Sequence, residues 1–268
     1  MKTFAILNIT PDSFSDGGRF LAPEAALAQA EKLVAGSADV LDLGGAASNV
    51  DAEAVPPEVE IARLAPVVAA LKAKGVSVSI DSFSPAVQRW ALGEGVDYLN
   101  DIQGFADPAL YPALAAASAR LVVMHSVQGR GKATRLPVTP PEIFDRVCHF
   151  FEGRIAALTA AGVARERLIL DPGMGFFLSD DPATSFEMLR RTSDLKAAFG
   201  LPVLISVSRK SFLRKITGRP SADSGPGTLA AEIFAVLQGA NYIRTHDPAA
   251  LKDGLAIWRT LVGPGPRA

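Results

Sequence analysis

Seven polar side chains lie at, or just after, the ends of short apolar runs that are spread over the whole sequence. They are Asn8, Asp81, Asn100, Asp171, Lys210, Arg244 and His246. Carboxylates and amides offer the hydrogen bonds that a flat, nitrogen-rich heterocycle needs. The three basic residue types would instead attract an anion such as a phosphate. Together these side chains predict a ligand with a heterocycle at one end and a phosphate at the other.

The apolar runs predict eight strands that alternate with eight helices. The strands are expected at residues 3–8, 38–43, 76–80, 98–99, 120–125, 168–171, 202–207 and 242–245, and the helices at 23–36, 57–74, 85–93, 108–116, 141–161, 184–200, 227–239 and 248–262. Most strands are apolar throughout, and most helices begin near a proline. This repeat predicts an α/β fold, a (β/α)8 TIM barrel that forms a single domain over residues 1–268. A doubly wound sheet is disfavoured, because no Gly-x-Gly-x-x-Gly follows the first strand.

In such a barrel the carboxyl ends of all strands meet at one mouth, so the polar side chains would converge there. Three loops at this end, residues 9–19, 44–56 and 126–140, are longer than a connection requires, and long loops over a barrel mouth commonly carry function. We interpret them as lids. The third loop contains Arg130, Lys132 and Arg135, and it fits a solvated connection equally well.

Composition narrows the class of protein. The chain has 268 residues, of which 49% are hydrophobic, and a net charge of −1. The charge balance disfavours nucleic acid or a membrane surface as partner, and no apolar run has transmembrane length. Cys148 is the sole cysteine, so no intramolecular disulfide can form, and the first residues do not resemble a signal peptide. We expect a cytoplasmic protein that acts on small molecules, with Cys148 as a packing residue.

Other polar residues leave two interpretations open. Asp42 precedes Leu-Gly-Gly at the end of the second strand, and fits a structural or a functional role equally well. His125 ends the fifth predicted strand, either as an acid-base group or as a core donor, whereas His149 is expected on a helix surface. The spacing of the histidines does not match a zinc site, and the sequence has no Gly-x-Ser-x-Gly elbow. Hydrolase chemistry of these two kinds is therefore disfavoured.

The ordered motifs resemble those of the dihydropteroate synthases. Residues 8–18, NITPDSFSDGG, resemble the first signature of that family, and shorter matches follow in order: IDS at 80–82, NDI at 100–102, MH at 124–125, DPG at 171–173, SRKS at 208–211 and RTH at 244–246. The resemblance spans essentially the whole chain. It implies a pterin-binding barrel that condenses 6-hydroxymethyl-7,8-dihydropterin pyrophosphate with p-aminobenzoate, which gives 7,8-dihydropteroate and pyrophosphate in folate synthesis.

The same resemblance implies roles for individual residues. The implied pterin ligands are Asp81, Asn100, Ile102, Met124, Asp171 and Lys210; the implied pyrophosphate ligands are Ser48, Arg244 and His246; and the implied catalytic residues are Asp16, Lys210, Arg244 and His246. Asn8 would help to bind Mg²⁺ on the pyrophosphate, and Ser211 would approach the p-aminobenzoate. Metal and cations would stabilise the charge on the leaving pyrophosphate.

The sequence departs from the family pattern at two places. Residues 44–51 read GGAASNVD, where the family generally has GGESTRPG, so Asn49 replaces an arginine whose charge Arg130 or Lys132 would have to supply. The segment after the sixth strand is longer and contains Phe176 and Phe177. Both departures resemble the acquired, sulfonamide-insensitive synthases. We hypothesise that the two phenylalanines narrow the p-aminobenzoate pocket against the bulkier sulfonyl group, although core packing would explain them equally well.

Two rival functions and one question of assembly stay open. A pterin-dependent methyltransferase would share the pterin carboxylates but would not need the phosphate-binding motifs. A catalytically silent barrel would bind pterin without forming product, since the fold alone does not determine chemistry. Phe234, Leu237 and Trp258 lie in the last two predicted helices and are compatible either with a homodimer interface or with the core.

Overall fold

A computed structural model describes residues 1–10, 23–46, 55–127 and 138–263 of the chain. Eight strands form its sheet: β1 (Lys2–Asn8), β2 (Val40–Gly44), β3 (Val78–Asp81), β4 (Tyr98–Asp101), β5 (Arg120–Met124), β6 (Leu168–Asp171), β7 (Leu204–Ile205) and β8 (Tyr242–Thr245). All pairs are parallel, in the order β6-β5-β4-β3-β2-β1-β8-β7. A bridge between Leu170 and Val203 joins the two ends of this order and closes the barrel. The predicted (β/α)8 barrel is confirmed.

Helices surround the strands. They are α1 (Pro23–Ala35), α2 (Pro57–Ala73), α3 (Pro85–Gly93), α4 (Tyr111–Ala116), α5 (Pro140–Ala160), α6 (Pro182–Arg190), α7 (Thr192–Phe199), α8 (Ser211–Thr217), α9 (Gly225–Leu237) and α10 (Pro248–Val262). Proline occupies one of the first two positions of α2, α3, α5, α6, α9 and α10, where its fixed φ suits a helix start. Asp181 and Asp247 accept backbone N–H bonds at the starts of α6 and α10. Among the described residues, none of the helices combines the length and apolarity needed to span a membrane.

The core has two layers. The larger layer lies between the strands and the helices. The smaller one fills the barrel interior with Phe4, Val40, Tyr98, Val122, Ile169, Leu204 and Tyr242. The rings of Phe4, Tyr98 and Tyr242 meet edge to face near the amino ends of their strands, with centroids 4.9–6.5 Å apart. Because this end is packed with aromatic rings, space for a ligand is left at the opposite, carboxyl end.

Three details of the prediction were wrong. Strand β7 is shorter than residues 202–207, because the chain after Ile205 turns toward the mouth, where the Lys210 N–H donates to the Val207 carbonyl. The helix predicted at 184–200 is two helices, since the Thr192 hydroxyl donates to the Leu189 carbonyl where the chain bends. The short helix α8 was missed altogether.

Candidate functional site

A cavity of about 260 Å³ opens at the carboxyl ends of the strands. Its lining consists of Ile6, Asn8, Thr10, Ala46, Asp81, Asn100, Ile102, Met124, Asp171, Phe177, Ser206, Ser208, Lys210, Arg244 and His246. The seven polar side chains at predicted strand ends all belong to this set. The topology therefore brings together residues that are more than 200 positions apart in the sequence.

The guanidinium of Arg244 links two carboxylates at the base of this cavity. Its Nε donates to Asp42 Oδ2 at 2.5 Å, and a terminal nitrogen donates to Asp81 Oδ2 at 2.6 Å. Asn100 Nδ2 also donates to Asp42 Oδ2, at 3.2 Å. Asp42 is fully buried, and it does not itself line the cavity. Asp42 therefore holds Arg244 and Asn100 in place. Of the two roles that the sequence left open for Asp42, its contacts in this structure fit the structural one.

The same contacts shift the pKa values of Asp81 and Arg244. Burial raises the pKa of Asp81 to about 7; Arg244 opposes this rise, and Asp42 adds to it. Burial disfavours the charge of Arg244, but Asp42 and Asp81 outweigh that effect and raise its pKa further above the usual range. Arg244 therefore keeps its charge and stabilises the carboxylate form of Asp81 against the effect of burial.

Asp171 and Lys210 form the second charged group of the cavity. Asp171 ends β6, and its Oδ1 accepts the Gly173 N–H at 2.8 Å, while Lys210 Nζ donates to the Met174 carbonyl at 3.2 Å. Burial raises the pKa of Asp171, and Lys210 opposes that rise. Burial also lowers the pKa of Lys210 to about 8, with Asp171 opposing. The two groups stabilise each other's charged form at the cavity wall.

We call residues 208–211 and 244–246, which follow β7 and end β8, the phosphate pole. Here Ser208 Oγ accepts the His246 N–H at 3.2 Å and lies 2.9 Å from His246 Nδ1. Burial lowers the pKa of His246 to about 3, and the charges of Arg209, Arg244 and Lys210 lower it too. The imidazole is therefore neutral at pH 7, and it offers hydrogen bonds in a positive surrounding rather than a charge of its own.

The two phenylalanines follow β6 in a single 3-10 turn, Gly175–Phe177. Phe177 lines the cavity, and its ring centroid lies 5.2 Å from Lys210 Nζ, whereas Phe176 is half-buried and does not line the cavity. Gly173 has φ +75°, and a Cβ there would lie 2.5 Å from the His125 carbonyl oxygen. Glycine at this position lets the turn pass over β5 and present Phe177 to the cavity.

Other predicted residues lie elsewhere. His125 is buried, 3.1 Å from the Pro172 carbonyl through Nδ1, and burial lowers its pKa to about 4, so it is a core residue in this structure. Ser211 begins α8 and is not part of the cavity lining. Cys148 is half-buried on α5, where burial raises its pKa. Asp16, Ser48, Asn49, Arg130 and Lys132 are outside the described residues.

Sequence reasoning missed four lining residues: Ile6, Thr10, Ala46 and Ser206. Ile6 could have been found, because it precedes Asn8 by two positions, and alternate residues of a strand face the same side. Ser206 could have been found in the same way, because it lies in the predicted strand 202–207, two positions before Ser208. Thr10 and Ala46 lie outside the strands, where no such alternation applies.

Comparison with known proteins places the chain in a family. A family model described as pterin binding enzyme matches residues 4–246. The chain belongs to this family of pterin-binding enzymes.

Its relatives are more specific. The dihydropteroate synthase type-2 of Escherichia coli is 59% identical over 258 residues, which cover 96% of this chain and 95% of the relative. The type-3 enzyme of Escherichia coli is 52% identical, with coverage of 97% and 99%. Xanthomonas albilineans dihydropteroate synthase with 4-aminobenzoic acid has a TM-score of 0.89 at 35% identity, with coverage of 98% and 93%. The same enzyme with 7,8-dihydropteroate gives a TM-score of 0.84 at 34% identity, with coverage of 98% and 94%. The resemblance to dihydropteroate synthases is confirmed.

Proposed function

We infer that the protein is a dihydropteroate synthase, which joins 6-hydroxymethyl-7,8-dihydropterin pyrophosphate to p-aminobenzoate and releases 7,8-dihydropteroate and pyrophosphate. The observation that carries this inference is a single cavity with carboxylates and an amide at its base and with the phosphate pole at its side. The pterin substrate has the same division into a heterocycle and a pyrophosphate. Relatives of this chain that were solved with 4-aminobenzoic acid and with 7,8-dihydropteroate support the same reaction.

At the pterin end, carboxylate and amide groups match the donors and acceptors of the ring. Asp81 and Asp171 accept hydrogen bonds from ring N–H and amino groups, and the Asn100 amide both donates and accepts. Lys210 donates from its position beside Asp171. Ile102 and Met124 are both buried at the cavity wall, where they pack against the ring. This arrangement orients the exocyclic methylene of the pterin toward the phosphate pole.

The reaction breaks the methylene C–O bond to pyrophosphate and forms a C–N bond to the aryl amine, which loses one proton. The electron-rich pterin stabilises positive charge on the methylene. His246 Nδ1 and Ser208 Oγ share one hydrogen bond, so the two side chains together donate one further hydrogen bond to the leaving pyrophosphate, and the charges of Arg244 and Lys210 stabilise it. Two nitrogens of Arg244 are already bound to Asp42 and Asp81, so its contact with phosphate is the least direct. By resemblance, Ser48 adds a phosphate ligand, Asp16 belongs to the covering loop, and Ser211 contacts p-aminobenzoate.

Turnover of the purified protein tests this function. Pyrophosphate release would be followed with dihydropterin pyrophosphate, p-aminobenzoate and Mg²⁺, and we expect stoichiometric dihydropteroate. A protein that binds pteroate but releases no pyrophosphate would support the silent barrel. Methyl transfer from methyltetrahydrofolate to a corrinoid protein, without pyrophosphate release, would support the methyltransferase.

Mg²⁺ bound to the pyrophosphate is the cofactor that we propose, with Asn8 as its protein ligand. Asn8 is exposed at the end of β1, and a Cβ at Gly44 would lie 3.1 Å from its Oδ1, so glycine leaves this oxygen accessible. The described residues contain no cluster of three or more His, Cys, Asp or Glu side chains that could hold a metal. Mg²⁺ fits such a site because it takes few protein ligands and retains water and substrate phosphate. When bound, it supplies positive charge to the leaving group.

Calorimetry of pyrophosphate binding, with and without Mg²⁺, tests this role without turnover. Asn8→Ala should lose most of the Mg²⁺-dependent gain in pyrophosphate affinity, whereas Asn8→Asp, which keeps the oxygen ligand, should retain it. An unchanged gain in Asn8→Ala would contradict the assignment.

Reduced sulfonamide sensitivity is the second part of the proposal. Phe177 lines the cavity beside Lys210, and a planar carboxylate passes such a ring more easily than a tetrahedral sulfonyl group does. We expect Phe177→Ala to lower the sulfonamide inhibition constant more than it changes the KM for p-aminobenzoate. Phe176→Ala should have the smaller effect, because its side chain does not line the cavity. If neither variant changes sulfonamide inhibition, the two rings do not select against the drug.

Assembly and location complete the proposal. Phe234 and Leu237 on α9 are exposed, as are Ile257 and Leu261 on α10, whereas Trp258 is partly buried. These apolar side chains support a homodimer through α9 and α10, because such a face is self-complementary about a two-fold axis. Light scattering of the wild type should give a dimer with twice the chain mass of 28.1 kDa. The double variant with Phe234→Glu and Leu237→Glu should instead give the mass of the monomer. The unpaired Cys148 suits the cytoplasm, where thiols stay reduced.

A further inference from the structure

Glu232 is a buried acid that the proposed reaction does not use. It lies on α9, only 1% of its side chain is exposed, and it faces the end of β8, where its carboxylate interacts with the Thr245 side chain. Its other oxygen, Oε1, has no hydrogen-bond partner among the described residues. Because an unpartnered buried carboxylate is costly, its position next to a binding site calls for a role.

Thr245 connects Glu232 to the phosphate pole. Its hydroxyl has one proton, and its oxygen accepts the Asp247 N–H at 3.1 Å, so the proton is available to Glu232. Thr245 is fully buried between Arg244 and His246 in the sequence. A contact that holds Thr245 in place therefore also holds the backbone of its two neighbours, Arg244 and His246.

Helix α9 also holds the other segment of the phosphate pole. Thr228, one turn before Glu232, accepts the Arg209 N–H at 3.1 Å. Arg209 has φ +59°, a left-handed backbone conformation that is unfavourable for any residue other than glycine. The segment after β7 thus depends on Thr228, and the end of β8 depends on Glu232. One helix supports both.

The charge of Glu232 matters as much as its position. Burial raises the pKa of Glu232 to about 8; the bond from Thr245 opposes this rise, and Asp247 from the end of β8 adds to it. Glu232, Thr245 and Arg209 line one small cavity that is separate from the ligand cavity, and Arg209 enters it from the segment after β7. Near neutral pH the acid is neutral, so it can hold Thr245 without a negative charge behind the phosphate ligands. Above pH 8 that charge would repel pyrophosphate.

We propose that Glu232 is a positioning residue for the phosphate pole, which holds Thr245 as a neutral acid and weakens pyrophosphate binding when it ionises. This inference rests on the proposed function, because it takes the phosphate pole as the pyrophosphate site. It assigns part of the alkaline loss of pyrophosphate affinity to a group outside the cavity, in addition to the loss from Lys210, which is the same with and without Glu232.

Calorimetry with pyrophosphate and Mg²⁺ at pH 7 and pH 9 tests the proposal on the full-length protein. The comparison is between the wild type and Glu232→Gln, which keeps the shape and the acceptor but cannot ionise. The wild type should lose about three- to tenfold more affinity between these pH values than the variant does. Titration of pyrophosphate itself is the same for both proteins and cancels in the ratio. Pteroate binding is the control, and it should be identical in the two proteins at each pH.

A second variant, Thr245→Val, removes the hydroxyl that joins Glu232 to the pole. It should bind pyrophosphate several-fold more weakly at pH 7 and leave pteroate affinity unchanged. Equal alkaline losses in the wild type and Glu232→Gln would overturn the proposal, and so would a loss of pteroate affinity equal to that of pyrophosphate in both variants. Failure of the wild type to turn over substrates, with the pH difference intact, would instead refute the synthase reaction and leave the role of Glu232 standing.

Discussion

The pterin end and the phosphate pole occupy one cavity but are constructed differently. At the pterin end, Asp81, Asn100 and Asp171 are strand residues, and β-sheet hydrogen bonds fix the backbone of each. At the phosphate pole, Ser208 and His246 stand just beyond strand ends, and side-chain contacts hold them. The strands of the barrel fix the positions of the pterin-end residues, whereas side chains packed behind the phosphate pole fix the positions of Ser208 and His246.

The two ends also differ in how charge is balanced. The buried carboxylates of Asp42 and Asp171 and the partly buried one of Asp81 face Arg244 and Lys210, so opposite charges compensate within the pterin end. The phosphate pole contains the same Arg244 and Lys210, and Arg209 adds a third cation beside a neutral imidazole, which leaves positive potential on that side for an anion to neutralise. A preorganised polar site recognises a neutral ring, whereas unbalanced positive charge attracts pyrophosphate.

The largest expected effect comes from breaking the pterin end. Asp171→Asn keeps the volume of the side chain. It removes the negative charge that stabilises the charged form of Lys210, and it replaces one carboxylate acceptor with an amide donor. We expect kcat/KM to fall about 10³-fold, with a similar loss of pteroate affinity, because a buried polar contact to the ligand is left mispaired. Steady-state kinetics and calorimetry measure both quantities.

Asp180→Asn is the matched control, since Asp180 follows the same strand but is exposed. It should behave as the wild type does. A loss of kcat/KM in Asp171→Asn that leaves pteroate affinity intact would place Asp171 in the chemistry rather than in pterin binding.

The same division explains what the sequence could predict. Asp81, Asn100 and Asp171 were predictable because they end apolar runs, and a barrel directs all such ends to one mouth. The partners of Arg244 were not, because Asp42 and Asp81 are 202 and 163 residues away and periodicity does not give the direction of a side chain at its tip. The break at Thr192 depends on a side-chain bond to a carbonyl, and the support from Glu232 depends on helix packing, so neither has a local signal.

Breaking the phosphate pole should have a smaller effect. His246→Asn loses the imidazole that contacts Ser208, and we expect the KM for dihydropterin pyrophosphate to rise about tenfold to a hundredfold. Pteroate, which has no pyrophosphate, should bind as it does to the wild type. Kinetics for the first ligand and calorimetry for the second make the comparison, and equal losses for both would show that the two ends are not separable.

Alkaline pH should distinguish the ends more finely. The pKa of Lys210 is about 8, so the charged fraction falls about tenfold between pH 7 and pH 9. If the charged form holds the pterin, pteroate affinity should fall by about the same factor over this range, beyond any change shown by Lys210→Gln. Lys215→Gln, an exposed lysine of α8, should retain the wild-type dependence. A parallel pH dependence in Lys210→Gln would assign the loss to the ligand.

The smallest expected effect is on stability in acid, and it compares His246 of the phosphate pole with the core residue His125. Folding lowers the pKa of His125, beneath the turn that presents Phe177, to about 4, and that of His246 to about 3, from an ordinary value of 6.5. Between the folded and the ordinary pKa values, these two imidazoles therefore bind protons in the unfolded chain but not in the folded chain. Stability from each histidine is present above pH 6.5 and is lost as pH falls toward the folded value. Between pH 6.5 and 5.5 each should cost about 1 kcal/mol of unfolding free energy.

Denaturant unfolding at these two pH values measures that loss. His125→Gln and His246→Gln should each lose about 1 kcal/mol less than the wild type over this range. His149→Gln should match the wild type, because the His149 side chain is 92% exposed. Bound pyrophosphate should reduce the acid loss assigned to His246, since an anion favours the protonated imidazole, and it should leave that of His125 unchanged because His125 lies outside the phosphate pole. An equal response of both histidines to pyrophosphate would mean that the anion does not act through His246 in particular.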